Sequence, residues 1–268
     1  MNFGIPFRKP FGAPFGVPFL GGTTGGIPIF PEAGNVGFYS VEDPSNLGFS
    51  SGVLVNSLLD QSSAGNDLTQ ADASANPAYI EDLAKPWLSR LSFDGVDDHL
   101  EGMAVQTGDF TYMFKLAFNA LSTTEYIFSH TTGDSAIVLL SDNYIYLRDT
   151  TGANDIRLSG HTVQSGLHTY TITRQGDTLK YYVDACLKGS FDVSGRLFEF
   201  DIFGSTTNSL ADLTADWGVW NRALTQNEVN YFSYLRSEDT NEILLPPITP
   251  GCPIPTGNAL PSNLPTIL

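Results

Sequence analysis

With 268 residues, 41% hydrophobic and 12% aromatic, the chain can bury one sizeable core, and single all-β domains run to this length. Thirteen Lys+Arg against 29 Asp+Glu leave a formal charge of -16, a sign that phosphate backbones and anionic lipid repel, so nucleic acid and membrane surfaces are excluded as partners. No apolar run approaches the roughly 18 residues that cross a bilayer. Cys186 and Cys252 lie far apart without CxxC spacing, which points away from a disulfide framework or a zinc site and predicts two reduced, structural thiols.

Proline marks the ends of the chain. Six of 16 prolines fall in residues 1–31 and seven in 246–268, whereas only Pro44, Pro77 and Pro86 interrupt the middle. Because proline breaks helix interiors and sheet ladders, this predicts an extended arm over 1–31, one folded domain over 32–245 and a second, uncharged arm over 246–268. The first arm repeats Pro-Phe every four residues, at Phe7, Phe11, Phe15 and Phe19, with Arg8-Lys9 as its only charges before Glu32. The Pro-Phe steps interrupt any signal-peptide helix, which predicts no export by that route.

Within the middle the dominant period is two. FTYMFKLAF places Phe110, Tyr112, Phe114, Leu116 and Phe118 on one face and Thr111, Met113, Lys115, Ala117 and Asn119 on the other, the pattern of a half-buried strand. EYIFSH continues the alternation, and NYIYLR turns Ile145 and Leu147 inward while Tyr144, Tyr146 and Arg148 face out. HTYTITRQGDTLKYYVD reads as two strands joined by a tight turn at Gln175-Gly176-Asp177, since glycine tolerates the positive φ of hairpin turns. FEFDIF and ADWGVW add strands, the latter with Trp217 and Trp220 on opposite faces. One helix is predicted near 225–236, with Thr225 as N-cap and Glu228 completing a capping box. Many short strands with a single helix predict an all-β, two-sheet antiparallel jelly-roll sandwich.

The stretches VNSLLDQSSAGNDLTQADASANPAY, LSFDGVDDHLEG, LKYYVDACLKGS and ADWGVWNRALTQNEVNYFSYL resemble, in order, landmarks of the laminin-G-like, concanavalin A-like lectin/glucanase family over residues 37–237. The resemblance implies a jelly roll whose faces bind glycans or protein partners, often with Ca²⁺, and implies no particular reaction. Two departures stand out. Asp184-Ala185 replaces the usual Asp-Gly, which weakens a type I′ turn, and Ala215 precedes Asp216 where an acidic pair often supplies calcium ligands.

Candidate sites follow. Asp94, Asp97 and Asp98 crowd three hard oxygen ligands around a glycine, as Ca²⁺ prefers, although a solvated Asx turn reads equally from the same residues. The row Asp142, Tyr144, Tyr146 and Arg148 offers aromatic faces and charged groups to a sugar, or packing area to a loop or second subunit. No catalytic residues are predicted. Glu199 and Asp201 lack the third acid of a glucanase triplet because Gly204 stands there, GFSSG lacks the strand-and-helix frame of a nucleophile elbow, and the four histidines show no ligand spacing.

A fold usually met outside cells, combined with a signal-poor N-terminus and grippable arms, leads to a virion expectation. It is a non-catalytic bacteriophage structural or adhesion protein (capsid decoration, head fibre or tail component), assembled in the host cytoplasm and released by lysis. Its arm would dock other virion proteins through Phe7, Arg8, Lys9, Phe11, Phe15 and Phe19, and the body would form homo-oligomers and contact a cell-surface glycan. A bacterial surface adhesin and a glycan-active enzyme are the alternatives.

Overall fold

A computed structural model describes residues 33–234 apart from 42–46, 52–53, 82–88, 119–123, 132–133, 152–154, 164–165 and 207–212. The docking residues Phe7, Arg8, Lys9, Phe11, Phe15 and Phe19, both predicted arms and the Phe118 side chain lie outside the described set. Among the described residues no helix is long and apolar enough to cross a membrane.

Among the described residues seventeen strands are seen. In the N-terminal half they are β1 (Asn35–Tyr39), β2 (Leu47–Ser51), β3 (Leu54–Leu58), β4 (Leu68–Thr69), β5 (Ala78–Ile80), β6 (Arg90–Ser92), β7 (His99–Glu101) and β8 (Phe110–Phe118). They continue as β9 (Glu125–Ser129), β10 (Ala136–Leu139), β11 (Ile145–Arg148), β12 (Asp155–Arg157) and β13 (Gly166–Gln175). The last four are β14 (Thr178–Val183), β15 (Cys186–Asp192), β16 (Ile202–Gly204) and β17 (Leu213–Trp220), followed by the helix α1 (Gln226–Tyr234).

Every pairing is antiparallel. One sheet runs β1-β17-β8-β13-β14-β15 and the other β7-β16-β9-β10-β11-β12, and the short strands β6, β5, β3 and β4 carry hydrogen bonding from one to the other around an edge. The expected two-sheet sandwich is therefore what the chain forms. Between the sheets lies one large core. Phe114 and Tyr112 of β8 meet Phe128 of β9 edge-on at 5.4 and 5.3 Å, and Trp217 of β17 stacks on Phe203 of β16 at 4.1 Å and 15°. Such aromatic pairs contribute on the order of 1 kcal/mol each beyond the area they bury.

Alternation set the register of β8 correctly, with Phe110, Tyr112, Phe114 and Leu116 all in the inter-sheet core. The expectation of a half-buried strand needs correction, because Thr111 and Met113 on the opposite face are also fully buried. The cause is α1. Its Val229, with Leu224, packs against Phe38, Met113, Tyr182, Ala185 and Trp220 in a second cluster on the outside of that sheet. Trp217 and Trp220 do take opposite faces, and each fills a different core.

Two hairpins show how turn chemistry works here. Gln175 pairs with Thr178 across a two-residue loop in which Gly176 takes φ +56°, as the sequence predicts. At the next turn Val183 pairs with Cys186, and both Asp184 (φ 49°) and Ala185 (φ 66°) adopt the left-handed conformation that a type I′ turn demands without any glycine. The Asp184 carboxylate braces this turn by accepting from His168 Nδ1 at 2.7 Å and from the Thr169 N–H at 3.0 Å. Cys186 is disulfide-bonded, which corrects the expected reduced thiol, and Cys252 lies outside the described residues. Of FEFDIF, only Ile202 and Phe203 are strand, in β16.

The capping box forms as predicted. The Thr225 N–H donates to Glu228 Oε2 at 2.8 Å, the Glu228 N–H reaches back to Thr225 Oγ1 at 3.4 Å, and Arg222 grips both Glu228 oxygens at 3.0 and 2.6 Å. The Arg222 fork, against partial burial and with help from Thr225, lowers Glu228 from its ordinary 4.5 to about 2. A depressed carboxylate stabilises the fold above its unfolded pKa and loses that contribution as pH falls through the folded value. Glu228→Gln is expected to cost about 1 kcal/mol at neutral pH, a figure held down by solvent screening, and the deficit should close between pH 4.5 and about 2. Urea midpoints across that window measure both the cost and its disappearance.

Candidate functional site

The outer face of the second sheet gathers the predicted sugar-facing row. Register places Tyr126, Val138, Tyr146 and Arg157 side by side across β9, β10, β11 and β12, with Ala136, Arg148 and Asp155 in the adjoining row. Val138 is fully buried between its two tyrosines, while the tyrosines and Arg148 are half-buried and Asp142 is exposed. The expected row along one strand needs correction, because only Tyr146 and Arg148 alternate on β11, whereas Asp142 lies in the turn before it and Tyr144 just ahead of it, and both are brought to this face by contacts with Tyr146 and Arg157.

Charge on this face is tightly paired. Arg148 sends Nε and Nη2 to the two oxygens of Asp155 at 2.9 and 3.0 Å and Nη1 to the Tyr126 hydroxyl at 2.9 Å. This fork raises the Arg148 guanidinium pKa further above its already high value. Asp142 Oδ2 accepts the Tyr146 hydroxyl at 2.7 Å and lies 3.5 Å from Arg157 Nε. Arg157 in turn stacks over the Tyr144 ring at 3.7 Å, a cation–π contact that covers one ring face. Burial and the bond to Asp142 push the Tyr146 phenol up, so it stays a donor. Sequence reading missed Tyr126, Asp155 and Arg157. The i, i+2 spacing of Asp155 and Arg157 was their only signal, on a strand of three residues.

The second predicted site also comes together. Asp94, Asp97 and Asp98 each place a carboxylate oxygen within 4.8 Å of the others. Local Asx bonding is present too, since the Val96 N–H donates to Asp94 Oδ1 and the Asp94 N–H to Asp98 Oδ2, both at 2.8 Å. Burial and the neighbouring Asp94 charge raise Asp98 from 3.8 to about 6. Crowded hard oxygens whose charges repel one another suit Ca²⁺, and these three residues would hold it. Asp216 does not join them. It is buried against Lys115 Nζ at 2.7 Å, an ion pair between β17 and β8.

The glucanase-like acids are arranged otherwise. Asp201 accepts from the Thr131 N–H at 2.8 Å and Thr131 Oγ1 at 2.5 Å, holding Thr131 just past the end of β9, and it lies outside β16. Gly48–Ser51 of GFSSG lie in β2, and the next described element is strand β3, not the helix that a nucleophile elbow needs.

Comparison with known proteins agrees on architecture. No family model matches the chain, and no curated protein matches it. Among solved structures, the binding domain of Paraclostridial Mosquitocidal Protein 1 is similar with a TM-score of 0.54 at 13% identity, over 75% of this chain and 52% of that one. A mutant of Trypanosoma rangeli sialidase displaying trans-sialidase activity gives 0.52 at 16% identity, over 76% of this chain and 33% of that one. The Trypanosoma rangeli sialidase in complex with sialic acid gives 0.51 at 14%, over 75% and 32%. The chain spans about half the length of the toxin domain and a third of the sialidases, and identities this low show a shared fold alone.

If the three carboxylates hold Ca²⁺, the melting temperature should rise with Ca²⁺ concentration by mass action and fall back in chelator. Asp98→Asn should abolish that response while keeping an oxygen acceptor for the Asp94 N–H. Superimposable melts of the parent chain with and without Ca²⁺ would assign the loop to local turn bonding.

Proposed function

We propose that this protein is a non-catalytic, glycan-contacting adhesion or structural component of a bacteriophage virion. The observation that carries the reading is the outer face of β9–β12, where Tyr144 and Tyr146 stand half-exposed beside fixed Asp and Arg partners. Sugar rings pack on aromatic faces while their hydroxyls donate to pre-positioned carboxylates and accept from guanidinium groups, and both kinds of group are present here. The toxin binding domain and the sialidases that share the architecture make a recognition role compatible with the fold.

The virion half of the proposal rests on the Pro-Phe arm of 1–31. Proline limits the freedom of the unbound chain, each Phe can bury on the order of 2 to 3 kcal/mol of apolar surface in a groove, and Arg8-Lys9 favours an acidic docking surface. The Ca²⁺ at Asp94, Asp97 and Asp98, homo-oligomer formation and mounting on other virion proteins belong to the same proposal. A bacterial surface adhesin is the second reading. The Cys186 disulfide favours it and an exposed virion position alike, because such bonds persist in oxidising surroundings.

Screening the full chain against an oligosaccharide array tests the binding half. Tyr144→Ala is expected to weaken a captured glycan about tenfold while leaving the melting temperature within a few degrees, since the ring is partly exposed. Absence of capture from a broad array would overturn it. For the arm, deletion of residues 1–31 should spare the melting temperature and abolish incorporation into particles. A truncated chain that aggregates, or that still enters particles, would remove the docking role.

A further inference from the structure

We propose that the β9–β12 face selects neutral sugars over acidic ones, an inference that rests on the glycan reading of the same face and names its ligand class. A chain of charge -16 needs exposed, uncommitted cations to capture an anionic glycan. The face has two arginines, and both are engaged. Arg148 spends a bidentate fork on Asp155 and a further donor on Tyr126, and Arg157 lies against Asp142 with its plane over Tyr144. Two guanidinium groups against two carboxylates leave the face without net charge.

What the face still offers is chemistry for hydroxyls. A carboxylate oxygen can accept more than one hydrogen bond, and Asp142 is 43% exposed. The guanidinium groups keep N–H donors beyond those used by their partners, and the Arg157 side chain is 47% exposed. Arg157 covers one side of the Tyr144 ring, and the exposed remainder of this half-buried ring can take the apolar flank of a pyranose. Alternating acceptors and donors around an aromatic ring match vicinal hydroxyls. An incoming carboxylate would meet Asp142 and Asp155 at close range, with both cations already neutralised.

The experiment compares neutral oligosaccharides with matched oligosaccharides carrying uronic or sialic acid, on the full-length chain at low and high salt. Neutral sugars should bind in preference, with affinity changing less than about twofold over a tenfold change in ionic strength, because no net charge is being paired. Asp155→Asn removes one carboxylate and releases Arg148, so it should raise affinity for the acidic series severalfold and make that binding fall with salt. Preferential capture of acidic sugars by the unaltered chain, weakening as salt rises, would overturn the neutral-sugar assignment and keep the glycan reading. Capture of neither series would overturn both.

Discussion

Over Phe110–Phe114 strand β8 has no face that can meet water, and most of the architecture answers to that constraint. Phe110, Tyr112, Phe114 and Leu116 on one side and Thr111 and Met113 on the other are all buried, so a single covering layer cannot satisfy the strand. The second sheet covers the inner side through Phe128 and Phe203, and Val229 of α1, with Leu224 just ahead of the helix, covers the outer side. Thr111 stitches the two arrangements together. Its hydroxyl donates to the Arg222 carbonyl at 2.8 Å and accepts from the Leu224 N–H at 2.9 Å, fixing where the helix begins. Arg222 then reaches the capping glutamate, so the helix cap and the covering of the central strand are one connected set of bonds.

With the centre of one sheet covered on both sides, the outer face of the other is where water-compatible recognition chemistry can sit. Inner residues Phe128, Ile137 and Leu147 anchor β9, β10 and β11 in the core, and their outward neighbours are thereby held in fixed rows. Each polar group in those rows is tied to a neighbour in a different strand or turn. Recognition by groups already locked in place loses little side-chain entropy on binding, which is the physical advantage of building a site on strands. The same locking removes net charge, and so links the rigidity of the face to the class of ligand it suits.

Period-two reading found the long strands because their patterns extend over enough residues to rise above noise. It reached the register of β8, the β13–β14 turn and the capping box of α1, each a rule that acts within a few residues. The short strands β4 to β7 have two or three residues apiece, too few to show any period, and they exist through long-range pairing such as Thr69 with Glu101. Burial of Met113 was hidden for another reason. A methionine flanked by alternating aromatics reads as the wet face of a strand until the position of a helix more than a hundred residues away is known. At the sugar-facing row the alternation of Tyr146 and Arg148 on β11 was legible, whereas the turn that carries Asp142 was not, and Arg157 and Asp155 depended on β12 pairing beside β11.

The Asp184–Ala185 turn is where local preference and tertiary structure disagree most, and the resolution leads back to the helix. Left-handed backbone at an L-residue costs about 1 to 2 kcal/mol, and the turn contains two such residues in succession. Hydrogen bonds to Asp184 offset part of this, at roughly 1 kcal/mol net for each. Burial on its own would raise the Asp184 carboxyl, yet the His168 and Thr169 donors outweigh it and hold the group below its ordinary range, so the brace is ionised at neutral pH. The Ala185 methyl supplies what glycine lacks. It packs in the outer cluster with Val229 and Leu224, while Gln226 of α1 donates to the Ala185 carbonyl at 2.8 Å. A glycine would relax the turn and at the same time remove a contact that seats the helix over β8. The residue that breaks the turn rule is therefore kept consistent with the fold by the burial of the central strand, two sheet positions away.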